Sequence, residues 1–173
     1  MLDNSPIRVG EMLVEYGKVY KVFKIADKKM YDGKVEKHVF FKPIYETSDN
    51  RTLSCAIPLK NLTQANIRRP LDKKSLSRIL GFATDLQVLN ESQILDINEA
   101  RDVLKRNNPE TSAQMLKSIW CEINDDKETV TKSRKDILEL SLKSLSQEVA
   151  LAFGLSIEKA EVKLQKALEK LSF

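Results

Sequence analysis

Near Pro70 the chain changes the spacing of its apolar residues, and that change limits the fold more than any other feature. Before it stand three of the five glycines and seven of the eleven aromatics, spread over short β-type runs. After it the apolar residues recur at helical spacing, and glycine occurs only at 81 and 154. A period of two followed by a period of about 3.6 predicts an α+β chain with two units in series. We expect a β unit over 1–66 and an α unit over 71–173, joined around NIRRPLDKK. The 173 residues, 42 % of them hydrophobic, are enough to fill a core in each.

Within the first unit, EMLVEY and KVYKVFKI flank Gly17, and the second run ends at MYDGK, where Asp32-Gly33 is a strong hairpin signal. KHVFFKPIY reads as the returning strand. Pro43 marks its edge or its end, because proline cannot donate to a ladder. After the turn at ETSDNR, TLSCAIP alternates, with Leu53, Cys55 and Ile57 on one face and Thr52, Ser54 and Ala56 on the other. Strands this short predict a small five-stranded barrel of the SH3 or Tudor type. Such barrels usually serve as docking modules, though fold alone does not settle function.

The second unit reads as five amphipathic helices in a compact bundle. Asp72 caps the first, with Leu76, Ile79, Leu80 and Ala83 on one face. The second carries Ile97, Ala100 and Leu104 and stops at NNP, and the third, opened near Thr111, aligns Leu116, Ile119, Trp120 and Ile123. The longest is expected to start near Ser133, in a capping-box spacing with Asp136. It continues through Leu138, Leu142, Leu145, Val149 and Ala152 until Gly154 ends it. Ser156 caps the last, with Ile157, Ala160, Leu164, Leu168 and Leu171 inward. There is no internal repeat.

Catalytic motifs are missing from the sequence: no GxxxxGK[ST], GxGxxG or GxSxG occurs. The single histidine, His38, falls in a predicted strand with no nucleophile nearby and reads as a strand-surface residue. Glu122, Asp125, Asp126 and Glu128 lack the glycine and alternating ligands of a calcium loop and read as a solvated acidic connector. Cys55 and Cys121 are isolated, as reduced structural thiols would be. Trp120 shares the apolar stripe of its helix and reads as core. Neither metal nor cofactor is expected, and no enzymatic activity. The N-terminus has no signal-peptide character and no apolar run is long enough to span a bilayer, which predicts a cytoplasmic protein without membrane contact.

Charge permits nucleic-acid contact without requiring it. The net charge is +4, yet residues 66–173 carry eighteen Lys/Arg against seventeen Asp/Glu, so a DNA-binding surface there must be a local patch. Lys105 and Arg106 end the second helix, where cations also favour the helix dipole. Lys132, Arg134 and Lys135 open the long helix, where that dipole disfavours them, so they read either as a phosphate contact or as a solvated face.

Four segments, in order, resemble the CarD/CdnL family of bacterial transcription regulators. IRVGEMLVEYG looks like the family's opening "K-V-G-D-x-V-x-Y-x-x-x-G". LSCAIPLKNLTQANIRRPLDKKSLSRIL resembles "L-x-x-x-V-P-x-x-N-x-x-x-x-G-[LI]-R", matching at Leu53, Ile57, Pro58, Asn61, Ile67 and Arg68. SAQMLKSIW is similar to "A-x-V-V-R-D-L", and SRKDILELSLKSLSQEVALAFG to "E-[KR]-x-x-L-x-x-A-x-x-x-L-x-x-E-[LI]-A". The resemblance implies a monomeric, nucleoid-associated protein whose Tudor-like domain docks on the β subunit of RNA polymerase. Its helical domain would contact promoter DNA at the upstream edge of the bubble, and together the two would stabilise the open complex formed with the housekeeping sigma factor.

The resemblance also implies site residues. Ala56 and Pro58 fall at polymerase-contact positions, a basic contact falls at Lys28 or Lys29, and Phe41 matches an apolar contact while also fitting the barrel core. Some family members have arginine where this chain has Ala56. Many insert a tryptophan wedge where this chain has Gln93 followed by Ile94 and Leu95, so Gln93, Lys105, Arg106, Lys132, Arg134 and Lys135 form the expected DNA set. Two other readings stay open: a polymerase-docking adaptor whose helical domain binds another protein, and an RNA- or ribosome-binding barrel with a helical appendage.

Overall fold

The computed structural model describes residues 6–45, 50, 52–62, 64–81, 96–125 and 130–170. The chain divides into two compact units, Met1–Pro70 and Leu71–Phe173.

The first unit is a five-stranded antiparallel sheet curled into a half-barrel. Its strands are β1 (Met12–Glu15), β2 (Lys18–Lys29), β3 (Val35–Pro43), β4 (Cys55–Pro58) and β5 (Ile67–Arg68), in the order β4-β3-β2-β1-β5. Tyr16 and Gly17 join β1 to β2 as a two-residue turn in which both have positive φ, 50° and 73°. That backbone matches the right-handed twist of a tight hairpin, and it suits glycine better than tyrosine. The β2–β3 turn closes with Gly33 N donating to Met30 O (3.0 Å) and Lys34 N to Asp32 Oδ1 (3.1 Å).

The ladder slips between Val22 and Lys24, so Phe23 is the extra residue of a bulge that bends the sheet. Leu13, Tyr20, Val22, Val39, Phe41, Leu62 and Ile67 fill the concave side, where Tyr20 and Phe41 meet edge to face at 5.4 Å. Pro43 is the last residue of β3. The strand expected over TLSCAIP is confined to Cys55–Pro58; Leu53 precedes it and is exposed, since the alternation holds only where the ladder does. β5 lies beyond residue 66 and pairs with β1, so the NIRRP segment supplies an edge of the sheet as well as a connection. His38 is buried rather than on the surface, and its Nδ1 donates to the Glu36 carbonyl at 3.0 Å.

The second unit contains α1 (Lys73–Leu80), α2 (Ile97–Lys105), α3 (Pro109–Asp125), α4 (Lys132–Phe153) and α5 (Ile157–Glu169). Asp72 caps α1 by accepting from Ser75 N at 2.6 Å, and Asp96 caps α2 in a capping box with Glu99. The NNP that stops α2 also starts α3: Asn108 Oδ1 accepts from Glu110 N and Thr111 N, and Pro109 takes the first position, where its missing donor is harmless. The cap of α4 is Thr131 rather than Ser133, because Thr131 holds the extended backbone from which a side chain can reach the free N–H of Arg134. Gly154 ends α4 at φ 63°, and Leu155 N closes back on Ala150 O at 2.9 Å.

α4 touches all four other helices. Its fully buried positions are therefore spread around the helix: Ile137, Ser141, Leu145, Ser146, Glu148, Val149 and Ala150 are buried, while Leu138, Leu142 and Ala152 of the expected stripe are half-buried. Glu148 has no exposed surface, and its Oε1 accepts from Leu71 N at 2.6 Å. Ala100, Leu104, Met115, Ile119 and Ile137 form one core cluster shared by α2, α3 and α4.

Candidate functional site

The convex side of the sheet is built by register. Across β2, β3 and β4, directly paired residues share a face, and Phe40 stands opposite both Lys24 and Ala56. His38 stands opposite Ala26 and Pro58, and Glu36 opposite Lys28. Lys28, Phe40, Ala56 and Pro58 therefore lie on one face. Phe41 and Lys29 alternate onto the other.

This sorts the expected polymerase contacts. Lys28 is exposed on the same face as Ala56 and Pro58, whereas Lys29 pairs with Val35 on the opposite face. Phe41 is 3 % exposed and belongs to the concave core, so it is unavailable to a partner in this fold. Its neighbour Phe40 takes the outward position. Phe40 packs 6.3 Å from Phe23 and from His38, and the Lys24 ammonium lies 5.6 Å above its ring. Phe23, lifted out by the bulge, is 42 % exposed. Period two along KHVFFKP puts His38 and Lys42 on the face of Phe40 and Val39 on that of Phe41, which was the signal that could have separated the two phenylalanines; Phe23 had no such signal, because a bulge breaks the period.

β4 is an edge of the sheet, and among the described residues no strand pairs with its outer side. An edge strand exposes unpaired N–H and C=O groups that can accept a further strand. Ala56 keeps the outward surface beside Phe40 low, and Pro58, which has no N–H, ends the ladder. At the far end of β4, Lys60 bonds Glu36.

In the helical unit the expected DNA set divides. Leu104 and Ile137 share one core cluster, so the last turn of α2 and the first turns of α4 lie on the same part of the unit. Lys105 pairs with Asp102 at 2.8 Å, a contact that holds the Asp102 carboxyl below its ordinary range. Arg134 is turned inward: its Nε is 2.7 Å from Glu122 of α3, and its side chain is only 11 % exposed. Glu122 is thus an ion-pair partner rather than part of a solvated connector. Arg106, Lys132 and Lys135 are exposed. Gln93, Ile94 and Leu95 lie outside the described residues, as do Ala83, Asp126, Glu128 and Leu171. Trp120 is half-buried on α3.

No protein-family model matches the chain, and no curated protein matches it.

Among the described residues no group of three His, Cys, Asp or Glu side chains is placed to hold a metal ion. No described helix is long and apolar enough to cross a membrane. Burial, with the Glu15 charge added, pushes the Cys55 thiol upward, away from the thiolate form that a nucleophile needs. Among the described residues, the first unit sets an apolar and cationic face beside a strand edge that no other strand covers.

Proposed function

We propose that the protein is a transcription regulator of the CarD/CdnL type, with an SH3/Tudor-like first domain that docks on the β subunit of bacterial RNA polymerase. The observation that carries the reading is the register that gathers Lys28, Phe40, Ala56 and Pro58 on one face at the free edge of β4. Strand addition gives affinity through the main chain, while Phe40 and Phe23 supply apolar contact and Lys28 a charge. In this reading Phe40 takes the apolar role that the resemblance put on Phe41.

The helical unit contacts promoter DNA through phosphate, using Arg106, Lys132 and Lys135 at the start of α4 and the end of α2. Such contacts are electrostatic and largely independent of sequence. Together the units hold the open complex with the housekeeping sigma factor, in the cytoplasm and at the nucleoid. The ion pairs of Arg134 and Lys105 support the adaptor as a second reading, because they leave a smaller cationic surface. Binding of a promoter fragment at low salt separates the two.

The decisive experiment is capture of the full chain by a polymerase β-subunit fragment, with Ala56→Asp as the variant. Ala56 is exposed, so the substitution leaves the core intact while placing a charge on the docking edge. Loss of capture with an unchanged unfolding transition supports the reading. Unimpaired capture removes β4 from the interface.

A further inference from the structure

The last helix segregates its charges. Lys159, Lys163, Lys166 and Lys170 recur at i, i+4, i+7 and i+11, which at 3.6 residues per turn confines them to an arc of about 60° over roughly 16 Å of helix. All four are exposed, and among the described residues none has a carboxylate within ion-pair distance. Glu158, Glu161 and Glu169 fall outside that arc. Like charges at i,i+4 oppose helix formation, and Lys159 sits in the first turn, where the dipole disfavours a cation, whereas Lys166 and Lys170 lie at the end where it favours one. The row thus leaves a cationic arc open to an anionic partner outside the helix.

A second observation is independent of charge. The lysine row borders a cleft of about 590 Å³, formed with the end of α1 and the end of α4. Its floor is apolar: Leu80, Phe153 and Val162, the last left 46 % exposed. Two ammonium groups converge on the Phe153 ring, Lys163 at 4.5 Å and Lys73 of α1 at 5.3 Å from its centroid. The ring's π electrons attract both cations, which brings positive charge to the mouth of the cleft.

Cations around an apolar floor fit a ligand with several negative charges and a flat, poorly hydrated body. The volume lies within the roughly 300–1,000 Å³ usual for small-molecule sites. Lysine ammoniums act as point charges toward phosphate oxygens. A nucleic-acid backbone or an inorganic phosphate would leave Leu80, Phe153 and Val162 unused.

We propose that this cleft binds a nucleoside polyphosphate, with its phosphates on the lysine row and its ring system against Leu80, Phe153 and Val162. The site uses none of the residues assigned to polymerase or DNA above, and it stands or falls separately from that reading.

The test is equilibrium dialysis or calorimetry on the full chain with ATP, GTP and inorganic triphosphate, without divalent metal. Expected is saturable one-site binding of at least one nucleotide, at least about threefold tighter than triphosphate. Lys163→Glu with Lys166→Glu should weaken it about tenfold or more, with unchanged thermal unfolding. Lys166→Gln with Lys170→Gln, which adds no new charge, should weaken it in the same direction. Lys21→Glu with Lys42→Glu, on the sheet, should leave it within about twofold.

Three results overturn the proposal: no saturable nucleotide binding at millimolar concentration, triphosphate binding as tightly as the nucleotides, or equal loss in the sheet variant. If nucleotides fail to bind while the α5 reversal weakens binding of duplex DNA, the row is a nucleic-acid surface and the nucleotide proposal is wrong.

Discussion

Phe40 and Phe41 are neighbours in one strand, and their truncation should have opposite consequences. Phe41 is 3 % exposed, packs edge to face on Tyr20 and belongs to the core of a sheet unit of about seventy residues. Removing a buried phenylalanine ring costs about 3–5 kcal/mol, a large share of what a domain this size has. At about 4–8 °C per kcal/mol, Phe41→Ala should lower the melting temperature of that unit by roughly 12 °C or more. Phe40→Ala loses only partly exposed contacts with Phe23, His38 and the Lys24 ammonium, on the order of 1 kcal/mol. If Phe40 anchors the docking face, the same substitution should weaken capture by the polymerase β fragment by about 2 kcal/mol, roughly thirtyfold.

The assay is calorimetric unfolding of both full-length variants beside a binding titration at a temperature where each is folded. A Phe41→Ala protein that melts like the wild type yet loses docking would refute the face assignment. So would a Phe40→Ala protein destabilised as much as Phe41→Ala.

Glu148→Ala should destabilise the helical unit by about 3 kcal/mol, since it strands the Leu71 N–H and empties a fully buried position; Glu148→Gln keeps an acceptor and should cost less, as urea unfolding followed by Trp120 fluorescence would read. Lys132→Glu with Lys135→Glu should reduce the salt slope of promoter binding by about two, near 0.9 per lost phosphate contact, and an unchanged slope would leave these lysines as a solvated face. Arg134→Ala should instead lower stability, by about 1–2 kcal/mol for a partly buried pair, with little change in that slope. Burial, with Glu15 and Cys55 charges adding to it, pushes the Tyr20 hydroxyl up to about 12. The folded state therefore keeps a proton that the unfolded chain releases near pH 10; this contribution is intact below about pH 10 and lost as pH rises toward about 12. Tyr20→Phe should flatten that part of the alkaline stability profile, and a profile identical to the wild type would show that other groups control it.

The architecture was legible because period two and period 3.6 are local properties of the chain. Asp72, Gly154 and Ser156 announced helix ends through backbone chemistry that needs only near neighbours. Where two residues compete for one role, local rules fail: Thr131 and Ser133 both fit a cap, and only the backbone angle at Thr131 decides between them. β5 is two residues long, too short for any period, and exists because β1 offers it a partner. Burial of Ser141 and Glu148 followed from α4 being surrounded, which a single amphipathic stripe does not anticipate.

The site was harder to see because net charge hides how charge is distributed. A helical half with eighteen cations against seventeen anions looks unpromising for any anionic ligand. Arg78 pairs with Glu110, Lys105 with Asp102, Arg134 with Glu122 and Lys143 with Glu139, and each pair neutralises a cation locally. The lysines of α5 are left outside that pairing. Helix α5 carries Glu158, Glu161 and Glu169 as well, so its positive potential is confined to the arc that holds the four lysines, where screening by salt is weaker along a cleft than on an open surface. The spacing of those four lysines is visible in the sequence alone; that they border a cleft with an apolar floor is not, because Leu80, Phe153 and Val162 come together only through packing of α1, α4 and α5.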